Sequence, residues 1–141
     1  EAGEMERAII KDPVFLAVIS TAATKEDQVI AQDLLDTLIA NQARCLGLAA
    51  NMIGASKRII AFFDDKTPVL MYNPIILKTS GKRYESEEGC LSLTGVRKTL
   101  RYEKIKVQYE DVHWKRRIRS FQGLSAQIIQ HEIDHCDGVI I

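Results

Sequence analysis

Two histidines and a glutamate near the end of the chain, His131, Glu132 and His135 in IIQHEIDHCDG (128–138), have the types and spacing to hold and use a metal ion. Residues four apart on a helix lie about 40° from each other around the axis and one turn along it, so two imidazole nitrogens can converge on one cation. The glutamate between them then reaches a water beside that cation, where it can move a proton. Such a pair of ligands with an adjacent base suits chemistry on a metal-activated water.

A third ligand is needed, and it cannot follow the helix as it does in the common zinc peptidases. Only six residues remain after His135, and Cys136 and Asp137 point about 140° and 240° around the helix from His131. The ligand must come from upstream: Cys90, His113 or one of several carboxylates. Cys90 is favoured, because a thiolate binds zinc or ferrous iron strongly and the neighbouring Gly89 allows close backbone approach. His113, beside Trp114, reads as a surface residue of a turn.

The elements that must position these groups are legible in outline. Thr24 and Asp27 are spaced as a capping box, and a helix is predicted from Asp27 to about Ala43, with Ile30, Leu34, Leu35, Leu38 and Ile39 as its inward stripe. CLGLAANMIG (45–54) breaks that pattern. RIIAFF (58–63), VLMYNPII (69–76), KIKVQYE (104–110) and KRRIRSF (115–121) read as strands, with DVHW (111–114) as a turn. In KIKVQYE, Ile105, Val107 and Tyr109 alternate with polar residues, as in a half-buried antiparallel strand. A final helix is predicted from Gly123 to Cys136, with Gly138 as a left-handed cap and Leu124, Ile128, His131 and His135 on one face.

The composition of the 141-residue chain bounds the answer. Hydrophobic residues make up 46% and charged residues 27%, and 19 basic side chains balance 19 acidic ones. One globular domain over 1–141 is expected, without the basic excess of a nucleic-acid binder. The local cluster Lys115-Arg116-Arg117-x-Arg119 reads as a solvated strand face. Three cysteines without framework spacing suggest a reducing, cytoplasmic setting. No apolar run approaches the roughly 18 residues of a membrane span, and no signal peptide is recognised. The opening EAGEM resembles an expression scar, and about residues 1–8 are expected to be a disordered or added N-terminus without function.

EGCLS (88–92) and QHEIDH (130–135), preceded by GLAANMIG (47–54), together resemble the three signature blocks of the peptide deformylases, and the order and separations fit from about Ile9 onwards. The resemblance implies a single-domain α+β enzyme, with small antiparallel or mixed sheets packed around the C-terminal helix. Its implied activity is removal of the formyl group from N-formyl-methionyl peptides or nascent chains, with no direct contact to nucleic acid or membrane. It implies one divalent metal ion, Fe2+ in the cell with Zn2+, Ni2+ or Co2+ as substitutes, held by Cys90, His131 and His135. Glu132 would be the general acid and base, and the Leu91 N–H would donate to the developing oxyanion. Gly47, Met52, Arg97, Leu124 and Ile128 would border the peptide.

The first block departs from the family pattern Gly-x-Gly-x-Ala-Ala-x-Gln, with Cys45 at the first glycine and Met52 at the glutamine. That glutamine supplies an amide donor to the carbonyl oxygen, and a thioether has none. Two further readings therefore stand beside the deformylase: a weak or inactive binding protein of the same fold, and an amidase for another small N-acyl substrate. Asn51 carries an amide one residue away, but its side chain should point elsewhere. Gln130, Asp134 and Glu88 are candidate acceptors for the second histidine nitrogens, and Glu88 can pair with Arg97 or Arg101.

Overall fold

A computed structural model describes residues 5–141. It contains three α-helices, α1 (Pro13–Leu16), α2 (Gln28–Ala40) and α3 (Gly123–Cys136), and five strands, β1 (Gly47–Ala49), β2 (Ile59–Asp64), β3 (Thr67–Cys90), β4 (Leu93–Glu110) and β5 (Arg116–Gln122). The strands form one sheet in the order β1-β2-β3-β4-β5, antiparallel throughout. The expected α+β class is met by this single meander, and register shifts along β3 and β4 bend it.

The meander is sandwiched at one end only. On β2, Ile59 and Ala61 face the cluster under α2, while Ile60 and Phe62 face the cluster under α3, which explains why this strand is a continuous apolar run. On β4, Ile105, Val107 and Tyr109 are buried under α3 and the residues between them face outward, as the alternation predicts. No helix among the described residues is long and apolar enough to cross a membrane.

The 3-10 turn Lys25–Asp27 that leads into α2 carries the predicted capping box: the Thr24 N–H donates to Asp27 Oδ2 at 2.8 Å and the Glu26 N–H to Thr24 Oγ1 at 3.3 Å. Its buried stripe is rotated from the expected one. Leu34 and Leu38 are inside, but Ile39 is 37% exposed and the acidic Asp33 and Asp36 are buried. The N-terminal segment from Met5 lies across them, which corrects the expectation of a disordered end for residues 5–8; residues 1–4 lie outside the described residues. Met5 N–H donates to Asp36, Arg7 N–H to Thr37, and the Arg7 guanidinium pairs with Asp33 at 2.7 Å. A polar stripe is thus covered by polar partners that come from far along the chain.

Helix α3 ends in the turn Gly138 was expected to make. Gly138 has φ 75°, its N–H donates to the His135 carbonyl, and the Val139 N–H reaches the Asp134 carbonyl at 2.9 Å, a complete Schellman motif. A Cβ at Gly138 would lie 2.5 Å from the Ala17 carbonyl oxygen, so the glycine also lets the N-terminal segment pack there. Gln130 fastens the middle of α3, its amide exchanging hydrogen bonds with both backbone groups of Tyr102 on β4 at 2.9 Å.

Candidate active site

The long β3–β4 hairpin delivers Cys90 to the helix. Cys90 pairs with Leu93, Leu91 and Ser92 form the tip, and a register shift falls between Glu88 and Cys90. Gly89 sits in that irregularity. A Cβ there would come within 3.2 Å of the Gly95 carbonyl oxygen, so the close approach it permits is between the two arms of the hairpin.

A cleft of about 470 Å³ opens between this tip, α3 and the segment leading into β1. Gly47, Cys90, Leu91, Leu124, Ile128, His131 and Glu132 all line it, so seven of the ten expected site residues meet there. His135 stands behind His131, 1% exposed, with the two Nε2 atoms 3.1 Å apart. Met52 and Arg97 are not in the lining. Met52 is 1% exposed within the core cluster under α2, and Arg97 lies half-buried on β4, with a 3.5 Å hydrogen bond to the Thr94 carbonyl. His113 is exposed in the β4–β5 turn, as expected. Cys45 lines the cleft, whereas Cys136 is fully buried on the core side of α3.

The charges are arranged around the two rings. His131 Nδ1 is 2.7 Å from Glu88 Oε1, which turns the ring so that Nε2 faces His135. Burial opposes the charge on His131, but the Cys90 sulfur and the Glu88 carboxylate outweigh it and raise the imidazole to about 10. Burial and the charge on His131 push His135 down to about 3. The tautomer in which His131 Nε2–H donates to His135 Nε2 fits both shifts. Burial, only partly opposed by His131, raises Glu132 to about 7, and its Oε1 is buried without a hydrogen-bond partner. Burial also tends to raise Glu88, but hydrogen bonds from His131 and Arg101 bring it down to about 2. Of the acceptors named from the sequence, Glu88 serves His131, Gln130 is spent on β4, and Asp134 pairs with Arg101.

These groups suit a divalent cation. Two neutral imidazoles would present Nε2 lone pairs to one point and a thiol lies beside them, while the buried carboxyl oxygen of Glu132 has no partner within the protein. Tetrahedral ligands at about 2.0–2.1 Å from zinc stand roughly 3.3 Å from each other, so a cation has only to replace the shared proton and part the rings by a few tenths of an ångström. No set of three His, Cys, Asp or Glu side chains among the described residues is already spaced as a metal cage.

Gly47 is where β1 touches this machinery. A Cβ at that position would lie 2.7 Å from Ile128 Cγ2 and 3.0 Å from Glu132 Oε2. Gly47→Ala is therefore expected to cost about 1–3 kcal/mol by overpacking and to displace the carboxylate. Denaturant melts check this: a parent-like curve would show that β1 can retreat from α3. The need for glycine was visible only as part of a motif.

An α+β fold that sets a His-Glu-x-x-His helix against the thiol-bearing tip of a hairpin defines a class of metal-dependent hydrolases. The polypeptide deformylase family model matches residues 8–141. A peptide deformylase from Clostridium beijerinckii is 53% identical over 97% of this chain and 100% of that relative. The class I type b peptide deformylase from Acinetobacter baumannii superposes with a TM-score of 0.87 at 27% identity, covering 97% of each chain, and has also been crystallised with Met-Ala-Ser bound. This chain belongs to the polypeptide deformylase family.

Proposed function

We propose that the cleft removes the formyl group from N-formyl-methionyl peptides, releasing formate. The observation that carries this reading is the buried, unpartnered Glu132 oxygen beside two converging imidazoles, in a cleft open to an extended peptide. Cys90, His131 and His135 would hold one divalent ion, Fe2+ in the cell and Zn2+, Ni2+ or Co2+ in substitution. The ion supplies Lewis acidity and brings the acidity of water toward neutral pH.

The residues of this chain do the rest. Glu132, whose acidity burial weakens, takes a proton from the attacking water and returns one to the departing amine. Glu88 fixes the His131 ring with Nδ1 engaged and Nε2 free. The Leu91 N–H, at the hairpin tip, donates to the oxygen as it becomes negative. β1 is an edge strand with Gly47 in the cleft, so its free edge can pair with a peptide backbone while Leu124 and Ile128 receive the side chain. The Met-Ala-Ser bound to the Acinetobacter relative is the kind of product this reaction leaves.

Turnover is reduced by the missing donor at position 52. Asn51 does not replace it: its Nδ2 donates to the His135 carbonyl at 2.9 Å and to the Leu16 carbonyl at 3.5 Å, and the side chain is fully buried. One oxyanion donor is worth about 10²–10³ in rate. Met52 itself is packed in the core cluster under α2 and does not line the cleft, so Met52→Gln supplies the donor only by turning its amide out of that cluster. A rise in turnover toward that factor is expected, while an unchanged rate in a folded, metal-loaded variant would place the deficit elsewhere. The reaction itself is tested with formyl-Met-Ala-Ser and protein loaded anaerobically with iron, or with nickel. Formate should appear with the parent and vanish with Glu132→Ala, and no formate with either metal would end the proposal.

A further inference from the structure

We propose that the outer face of the sheet, where Lys78, Lys104 and Lys106 meet, binds a compact oligophosphate anion of the pyrophosphate type. Lys78 on β3 stands directly opposite Lys106 on β4, with Ser120 of β5 next in that row; Ser80, Lys104 and Gln122 form the row beside it. Register partners share a face, and this one is opposite the Ile105 and Val107 side chains that pack under α3. The two rows enclose a concavity of about 420 Å³ whose lining has no carboxylate.

The three lysines share one face of a chain whose net charge is zero. On the neighbouring strand, Arg116 pairs with Glu110 at 3.5 Å, Arg117 with Asp111 at 2.8 Å and Arg119 with Asp64 at 3.4 Å, so the three arginines of that cluster are neutralised locally. Among the described residues, none of the three lysines has a carboxylate in ion-pair range. Like charges set directly across a strand pair destabilise it, and an anion between them reverses the sign of that contribution.

Chemistry and spacing narrow the ligand. Three ammonium groups, two hydroxyls and an amide can all donate to oxygen, which suits a phosphoryl group. Adjacent strands are about 4.8 Å apart and alternate residues about 6.8 Å along a strand, so flexible lysine stems rooted in both rows can close on the terminal oxygens of two linked phosphoryl groups. A single-stranded polynucleotide would need aromatic platforms. The one aromatic in the lining, Phe121, is buried with its ring edge-on to Phe62.

The test is NMR titration of the zinc-loaded protein with inorganic pyrophosphate at fixed ionic strength. Saturable shifts of one site, concentrated at Lys78, Lys104 and Lys106, are expected. The double variant K104Q/K106Q should weaken binding at least tenfold without loss of deformylation, and should melt no lower than the parent because cross-strand repulsion is relieved. Shifts spread over all lysines, shifts confined to His131, His135 and Cys90, or equal binding by the variant would each overturn the proposal. So would preference for a long RNA oligomer with affinity rising with length, which would mark a backbone-tracking surface instead.

Discussion

Glu132→Gln is expected to reduce formate release by about 10²–10⁴-fold and yet to stabilise the metal-free chain above pH 7. The first effect follows from proton transfer: the amide has the size of the carboxylate but cannot accept the proton of the attacking water. The second follows from burial. Glu132 is 4% exposed and its acidity is displaced from 4.5 to about 7, chiefly by desolvation. Between those values the folded chain holds a proton that the unfolded chain has released, so stability falls as pH rises from about 4.5 and levels off above 7. A displacement of this size corresponds to roughly 3 kcal/mol. Gln has no charge to bury and escapes that cost. Denaturant melts of both metal-free proteins should show a small difference at pH 5 and a larger one favouring the variant at pH 8. A pH-independent difference would mean that Glu132 is not the buried acid described here.

The C-terminal helix was the most legible element because several signals agree there: the i, i+4 histidines, the apolar stripe and the glycine at the left-handed cap all point to 123–138. The β4 alternation was equally plain, since one face is packed and the other is wet. The length of the β3–β4 hairpin was not. Residues from Leu77 to Glu87 are largely exposed, so no burial pattern marks them as strand, and their conformation rests on cross-strand pairing between residues such as Glu85 and Leu100. That pairing is non-local, and it is what carries Cys90 to His131. The rotated stripe of α2 was hidden for a similar reason, because Asp33 and Asp36 are buried by partners some 26 to 31 residues away. The site was thus legible as a set of residue types, while its assembly depends on contacts that periodicity cannot register. Arg101 is the clearest instance: the sequence offered two arginines for Glu88 and no means of choosing between them.

Arg101→Met is expected to cost about 3–5 kcal/mol of stability, together with a 10–100-fold loss of metal affinity. Arg101 is 3% exposed and forks onto Glu88, with Nε 3.0 Å from Oε2 and Nη2 2.7 Å from Oε1, while Nη1 reaches Asp134 Oδ2 at 2.6 Å. Glu88 in turn holds His131 Nδ1, and Asp134 precedes His135, so one guanidinium steadies both histidine positions. Met fills much of the volume but leaves Glu88 buried without its guanidinium. Glu88 is depressed to about 2 by His131 and Arg101 against the opposing effect of burial. Its contribution is therefore present above about 4.5 and is lost as pH falls toward 2. Without Arg101 the carboxyl rises, and acid unfolding of the variant should begin at higher pH than in the parent. Arg101→Lys should recover only part of both effects, since an ammonium cannot engage two carboxylates in the planar fork. Denaturant melts, an acid titration and competition with a chelator of known strength check the three expectations. A Met variant that melts, titrates and competes like the parent would show that neither the fold nor the histidine geometry depends on this arginine.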